Sequence, residues 1–361
     1  MQLLPELNEG GVERGVVELN REFVRRGIES VVISAGGKQS AQIIVDGGRH
    51  IQLDVCSKNP FTAPARVLRL RSILRRLKPD IIHARSRVPA WLAYLANKKL
   101  HLPFVTTVHG FNSVNAYSRV MTYGDRVICV SHAIKNYVQH HYQVPDEKIV
   151  VIPRGVDLDL FDPANVDQQF VETFREQYGL NGRIVVSAVG RITQLKDYET
   201  FIRSIALAKD SLPTICGLIV GGVRSDKQDY YKTLLSMVEE LGLEECIRFV
   251  GSQSKIAEIY ALSSLLVSCS KKPESFGRTA AEALAMNIPV IATNHGGVVD
   301  IVKVPLCGQL VEPGDESGLA GRMLELLNRD SQVLRGWVEQ EFSLESMVAR
   351  NLQLYRSFGE N

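Results

Sequence analysis

The chain has 361 residues, 45% of them hydrophobic and 23% charged, and its formal net charge is +2. This length exceeds what one hydrophobic core usually supports, so two domains are expected, and the near-neutral charge gives no support for a nucleic-acid partner. The six cysteines are scattered without a CxxC pair, which disfavours a metal cluster or a disulfide framework. No apolar run approaches the ~20 residues that span a bilayer, and MQLLPELNEGG lacks the features of a signal peptide, so a cytoplasmic location is predicted.

Short β-branched runs recur along the first half of the chain, and each predicts a strand that is covered on both faces. They are Ser30–Ser34, His50–Val55, Asp80–Ala84, Phe104–His109, Arg126–Ser131 and Lys148–Pro153. The segment Gly11–Arg26, ahead of the first run, has apolar residues at helical spacing. This alternation of strands and helices predicts a parallel sheet with helices on both faces.

The alternation repeats in the second half of the chain. The predicted strands there are Arg183–Gly190, Cys216–Gly222, Ile247–Gly251, Leu265–Ser270 and Pro289–Asn294. The stretch Ile152–Val166, rich in Pro, Gly and Asp, predicts a linker near residue 160. We therefore expect two doubly wound, Rossmann-like α/β domains, residues 1–163 and 164–343, that face each other across a cleft. In such sheets ligands bind beyond the carboxyl ends of the strands.

Glycines and two cations mark strand ends at which a phosphate could bind. Gly10 and Gly11 open the first predicted helix, where backbone N–H groups and the helix dipole attract anions. GRITQLKD follows the first strand of the second domain and places Arg191 and Lys196 five residues apart on a loop. A guanidinium fork and an ammonium point charge together suit a diphosphate. Tight turns and solvated loop charges are the simpler alternatives.

Two acids, Glu274 and Glu282, lie eight residues apart in PESFGRTAAEALA. The first follows a predicted strand, and the second lies two turns into the predicted helix Gly277–Met286. Carboxylates without a metal site suit hydrogen bonds to paired hydroxyls, and the helix N-terminus between them offers N–H donors to a phosphate. Sugar, ribose and phosphate are the parts of a nucleotide sugar. A surface acid followed by a helix-face acid is the alternative interpretation.

PESFGRTAAEALA followed by PVIATNHGG resembles the E-x7-E signature of the GT4 family of retaining glycosyltransferases, which have the GT-B fold. NEGGVERG, TVHG, VSHAIKNY, GVD and GRITQLKD extend the resemblance over nearly the whole chain. It implies an enzyme that moves a hexose-type sugar from a UDP-, GDP- or ADP-sugar to a glycan, without a metal or another cofactor. It also implies that the C-terminal helix, residues 344–361, packs back on the first domain.

The resemblance assigns roles position by position. Glu274 would hold hydroxyls of the donor sugar, and Glu282 would hold the ribose. Arg191 and Lys196 would neutralise the departing diphosphate. His109 would contact the donor sugar near the reacting carbon, although a strand-end core histidine is its alternative interpretation. The other implied donor contacts are Gly10, Gly11, Gly251, Ser252, Ser275, Phe276 and Gly277.

Basic residues of the first domain suggest the acceptor. Arg85 and Arg87 lie at the end of a predicted strand and could contact a phosphate or carboxylate of the acceptor. Solvation of both arginines is the alternative interpretation. Arg66–Lys78 carries six cations beside an apolar stripe. It predicts either a packed helix with a solvated outer face, or peripheral docking on the anionic inner face of the cytoplasmic membrane. Together these features favour a lipid-linked saccharide acceptor, such as lipopolysaccharide core.

Three other functions use a similar architecture. A nicotinamide-dependent dehydrogenase would need GxGxxG after the first strand, and NEGGVERG does not supply it. A nucleotide-sugar epimerase would use the same donor without an acceptor, and the two glutamates alone do not exclude it. A non-catalytic nucleotide-sugar-binding protein is a further alternative, because the first strand is short.

Overall fold

The computed structural model divides the chain into two compact units, of which the first comprises Met1–Gly155 and the segment from Leu344, and the second comprises Val156–Ser343. The structure describes all residues except 9, 304–305, 330–333 and 360–361.

The division falls at Gly155–Val156, whereas the sequence placed the boundary at 163–164. The linker belongs to the second unit because it pairs with the end of that unit. The Val156 amide donates a 2.7 Å hydrogen bond to the Phe342 carbonyl, and Val156 also forms a parallel bridge with Ser343. Phe161, 2% exposed, joins the same apolar core.

Seven parallel strands form the sheet of the first unit, in the order β3-β2-β1-β4-β5-β6-β7. They are β1 (Gln2–Leu3), β2 (Val31–Ser34), β3 (Arg49–Gln52), β4 (Ile82–Ala84), β5 (Phe104–Val108), β6 (Arg126–Cys129) and β7 (Ile149–Val151). The helices among them are α1 (Gly11–Arg25), α2 (Ser40–Val45), α3 (Ala63–Leu77), α4 (Arg87–Asn97) and α5 (His132–Tyr142). Strands β2, β4 and β5 are buried along their whole length, as their continuous apolar character requires.

Six parallel strands form the sheet of the second unit, in the order β10-β9-β8-β11-β12-β13. They are β8 (Ile184–Val189), β9 (Ile215–Val220), β10 (Ile247–Phe249), β11 (Leu265–Ser268), β12 (Val290–Thr293) and β13 (Gly308–Val311). The helices are α6 (Gln168–Gln177), α7 (Tyr198–Lys209), α8 (Gln228–Glu240), α9 (Ile256–Ala261), α10 (Arg278–Ala285), α11 (Glu316–Leu327) and α12 (Arg335–Glu341). The prediction of two doubly wound α/β domains is confirmed, although β13 has no counterpart among the predicted strands.

The last helix, α13 (Leu344–Arg356), packs within the first unit; the final two residues of the predicted segment 344–361 lie outside the described residues. Its apolar face joins Leu19 and Phe23 of α1 in one buried cluster. Tyr355 on this helix forms a 2.5 Å hydrogen bond with Nδ1 of the buried His83, whose Nε2 lies 2.6 Å from Thr107 Oγ1. Burial lowers the pKa of His83 well below its ordinary value, so the ring stays neutral.

The structure corrects the interpretation of the basic segment Arg66–Lys78. Arg66, expected on the outer face of the helix, is only 7% exposed and donates 2.8 Å hydrogen bonds to the Ser57 and Asn59 carbonyls. Arg71 donates to two carbonyls at the end of α4. Arg66 is buried and Arg71 half-buried because their guanidinium groups satisfy loop and helix-end carbonyls that would otherwise lack donors. The exposed cations of the segment are Arg69, Arg75, Arg76 and Lys78.

Within the described ranges, no helix has both the length and the apolar character needed to cross a bilayer.

Candidate active site

The exit loop of β11 holds an ion pair that the sequence could not show. Lys196 Nζ lies 2.5 Å from Glu274 Oε1, although 78 residues separate the two in the chain. The Ser270 hydroxyl donates a second hydrogen bond to the same oxygen at 2.6 Å. His295 Nε2 lies 2.7 Å from the Ser270 carbonyl and thereby joins the exit loop of β12 to this group. Four polar side chains from three loops therefore meet at the carboxyl edge of the sheet.

These contacts keep Glu274 ionised. Burial opposes the charge, but the Lys196 ammonium, the Ser270 hydroxyl and His295 outweigh it, so the pKa of Glu274 lies below its ordinary value. The side chain is still 20% exposed, which leaves room for a ligand hydroxyl to approach. A fixed carboxylate of this kind can accept hydrogen bonds from a sugar.

The glycine pair after β12 supports the backbone that carries Glu274. Gly296 has φ +75°, and a Cβ built there would lie 2.5 Å from the Glu274 carbonyl oxygen. The Gly297 amide donates a 2.7 Å hydrogen bond to that oxygen, and a Cβ at Gly297 would lie 2.4 Å from the Ser275 carbonyl. Two successive positions without side chains thus let the two loops lie backbone to backbone.

The second acid is held inside the unit. Gly277 adopts φ +103° directly before α10, and Glu282 on that helix is 5% exposed. Tyr260, which is fully buried, donates a 3.2 Å hydrogen bond to Glu282 Oε2. Phe276, 3% exposed, anchors the loop ahead of the helix. Glu282 is therefore a buried acid of α10 rather than one on a solvent-exposed helix face.

The loop that carries the two predicted phosphate cations is shaped by close packing. Gly190 has φ +156°, and a Cβ there would lie 2.8 Å from Lys196 Cε, so the lysine side chain crosses directly over the glycine. Gly221 packs against Gly190, and a Cβ built at Gly221 would lie 1.8 Å from the Gly190 carbonyl oxygen. The Gly221 amide donates a 2.8 Å hydrogen bond to the Gly251 carbonyl. Arg191 is exposed on the same loop.

The predicted donor residues of the second unit thus fall on neighbouring loops. Gly251, at φ +68°, and Ser252 are both exposed. Sequence reasoning missed Ser270, His295 and Tyr260. Ser270 ends one predicted strand and His295 directly follows another, which was the available signal, whereas nothing in the sequence marks Tyr260.

A separate cavity of about 160 Å³ lies in the first unit, at the carboxyl ends of β4 and β5. Its lining brings together the predicted residues Arg85, Arg87 and His109. The lining also includes the start of α1, at Val12 and Glu13, directly after Gly10 and Gly11; the preceding Glu9 lies outside the described residues. Remaining lining residues are Pro5, Ser86, Thr107, Gly110, Asn112 and Met121.

The two arginines of this cavity differ in their surroundings. Arg85 is 7% exposed, and its Nη2 donates a 2.7 Å hydrogen bond to Gln2 Oε1. Arg87 is half-buried, with Nη1 3.3 Å from Ser118 Oγ and its guanidinium 5.7 Å from the Tyr117 ring centre. The possibility that both are solvated is wrong for Arg85. Within the part of the chain that the structure describes, no group of three or more metal-binding side chains occurs.

Two family models match the chain in succession. Glycosyltransferase Family 4 matches residues 9–160, and Glycosyl transferases group 1 matches residues 170–340. Each model therefore covers most of one structural unit.

Known proteins resemble the chain over nearly its whole length. A crystal structure of a glycosyltransferase from Rickettsia africae ESF-5 is 31% identical, has a TM-score of 0.90, and covers 100% of this chain and 99% of its own. The N-acetyl-alpha-D-glucosaminyl L-malate synthase of Bacillus anthracis is 25% identical over 94% of this chain and 93% of the relative. Anabaena Alr3699/HepE, crystallised with UDP and glucose, has a TM-score of 0.82 at 21% identity, covering 99% of this chain and 98% of that one. The two family models, the Rickettsia relative and the two parallel sheets show that the chain belongs to the family 4 (GT4-type) glycosyltransferases of GT-B fold.

Proposed function

We propose that this glycosyltransferase moves a hexose-type sugar, with retention of configuration, from a nucleoside diphosphate donor of the UDP-sugar class to a hydroxyl of an acceptor. The observation that carries the proposal is the ion pair of Lys196 with Glu274 at the carboxyl edge of β11, ahead of the N-terminus of α10. The choice of UDP draws on the neighbouring Anabaena structure, which holds UDP and glucose.

Each residue of the group has a role that its geometry permits. Glu274 is ionised and partly exposed, so it accepts hydrogen bonds from hydroxyls of the donor sugar. Glu282, buried and fixed by Tyr260, accepts hydrogen bonds from the ribose. The peptide N–H groups around Phe276 and Gly277, at the start of α10, face the phosphates.

Charge develops on the departing diphosphate as the glycosyl bond breaks. Lys196 and Arg191 supply the compensating positive charge, and a preorganised cation stabilises the transition state more than the bound substrate. Glu274 holds the Lys196 ammonium at 2.5 Å, so the position of this cation is fixed by the protein itself. Retention requires the acceptor to attack from the face that the diphosphate leaves. His109 is assigned to the donor sugar near the reacting carbon.

The acceptor proposed from the sequence is a lipid-linked saccharide such as lipopolysaccharide core. Its support is the outer face of α3, where Leu68 is 61% exposed beside the exposed cations Arg69, Arg75 and Arg76. Phe61, 91% exposed, precedes the same helix. Apolar and basic side chains together suit an anionic lipid surface. Burial of Arg66 reduces the charge of this face below what the sequence suggested.

The name of the Bacillus relative supplies a second acceptor class, a small carboxylate such as L-malate. The arginine-lined cavity of the first unit favours this class, because guanidinium groups bind carboxylates well. The epimerase alternative loses its support, since both matching family models describe glycosyltransferases.

Calorimetry and thermal shift against UDP-, GDP- and ADP-sugars, with and without EDTA, test the donor proposal. Saturable binding of a UDP-sugar that EDTA does not change is the expected result. Product analysis with L-malate and with a lipid-linked saccharide then identifies the acceptor, and NMR of the product reports the anomeric configuration. Failure of every nucleotide sugar to bind would refute the assigned roles of Glu274 and Lys196 together.

A further inference from the structure

The cavity at the ends of β4 and β5 has more cationic than anionic side chains, and the proposed donor contacts include neither of its two arginines. Its lining carries the guanidinium groups of Arg85 and Arg87 against the single carboxylate of Glu13. We propose that this cavity is a subsite for an oxyanion, a carboxylate or a phosphate, carried by the acceptor. The inference rests on the proposed function, because only a transferase has an acceptor that could carry the oxyanion.

Arg85 is the first independent observation. Its side chain is more than nine-tenths buried and makes one side-chain hydrogen bond, to Gln2. Its Nε is buried without a hydrogen-bond partner among the described residues. A buried guanidinium that has no carboxylate partner is costly, and an anion in the cavity would offset that cost. Burial also lowers the pKa of Arg85, because it disfavours the charged form of the guanidinium.

The N-terminus of α4 is the second observation. Ser86, in the N-cap position, has an extended backbone and makes no side-chain hydrogen bond to the helix, and the first turn contains no acidic residue. The first intrahelical bond runs from the Ala90 amide to the Ser86 carbonyl, so the amides of Arg87 and Val88 precede it. Uncapped N–H groups at the positive end of an 11-residue helix favour an anion. Ser86 and Arg87 both line the cavity.

The remaining groups fit a small anion. Arg87 makes one 3.3 Å contact with Ser118, which leaves other N–H groups of its planar fork for a bidentate oxyanion. The volume of about 160 Å³ is well above the ~10–15 Å³ that one water requires, so a carboxylate or phosphate group fits with the atoms next to it. The negative charge of Glu13 disfavours a bound anion, but the two guanidinium groups leave the lining with a net positive charge.

Calorimetric titration of the full chain with inorganic phosphate and, separately, with L-malate tests the subsite. UDP is kept at saturation so that the diphosphate position is occupied, and ionic strength is kept low. The expected result is saturable binding of at least one of the two probes, weakened at least tenfold by Arg87→Gln. The matched control is Arg75→Gln, which removes the same charge from the exposed face of α3 and should leave probe binding unchanged.

The two probes distinguish the source of the oxyanion: preference for malate indicates a carboxylate acceptor, and preference for phosphate indicates a phosphorylated one. Arg87→Lys, which keeps the charge but loses the planar fork, should bind with intermediate affinity. Absence of binding by either probe, or binding that Arg87→Gln does not weaken, overturns the inference. A separate titration of the unmodified protein with UDP reports on the donor site. Absence of UDP binding counts against the proposed function, whereas the effect of Arg87→Gln on probe binding tests the subsite.

Discussion

Replacement of Lys196 by alanine is the most direct test of the donor chemistry. The ammonium lies 2.5 Å from Glu274 and the lysine side chain is about one quarter exposed. An ammonium about 4 Å from a developing unit charge contributes roughly 4 kcal/mol at an effective dielectric constant of about 20. Solvent exposure and competition from Glu274 reduce this figure. We take ~1.4 kcal/mol as the lower limit, so Lys196→Ala should lower turnover by about 10- to 1,000-fold.

Steady-state release of UDP from the UDP-sugar identified by calorimetry measures the effect. The loss should be larger in kcat than in affinity for the donor, because the departing diphosphate gains negative charge in the transition state beyond the charge it carries in the bound donor. Lys255→Ala is the matched control: its ammonium also lies 2.5 Å from a carboxylate, that of Asp167, but on an exposed surface. Surface pairs of this kind contribute about 0–1 kcal/mol to stability, and the control should retain activity. A folded Lys196→Ala enzyme with unchanged kcat and KM would remove this lysine from the diphosphate role.

Three further predictions address other parts of the structure. Glu282→Ala should weaken UDP binding about 10- to 150-fold, since hydrogen bonds to charged groups contribute roughly 1.5–3 kcal/mol, and unchanged calorimetric affinity would contradict its ribose role. Gly296→Ala should weaken donor binding and lower Tm, because the new Cβ would lie 2.5 Å from the Glu274 backbone. Gly314→Ala is the matched control: it has a similar φ but no atom within 4 Å of the new Cβ, so it should lower Tm only. Equal effects of the two substitutions on donor binding would count against this reasoning. Because the pKa of His83 is lowered from 6.5 by burial, the unfolded chain binds its proton first, so the free energy of unfolding should fall by about 1.4 kcal/mol per unit as pH drops below 6.5. Chemical denaturation between pH 5 and 6.5 measures this slope, and an equal slope in His83→Gln would assign it elsewhere.

The sequence by itself determined the fold class, the sites of most strands and the family. Continuous runs of apolar and β-branched residues such as those at β2, β5 and β11 predict their strands because parallel strands are covered on both faces. The helix α10 and its preceding glycine follow from local sequence as well. β13 was missed because Gly308–Val311 is short and contains a polar residue, and its pairing with β12 stabilises it.

Only the tertiary structure decided which polar groups meet. Lys196 and Glu274 are 78 residues apart, and the parallel order of β8 beside β11 brings their exit loops together. Arg66 turned inward because loop carbonyls nearby needed donors, which no helical pattern records. Arg85 is buried because it directly follows β4, the central strand of a seven-stranded sheet. Local sequence fixes the backbone preferences of each segment, whereas burial and partners depend on contacts between distant segments, and these contacts set the charge and chemistry of the site.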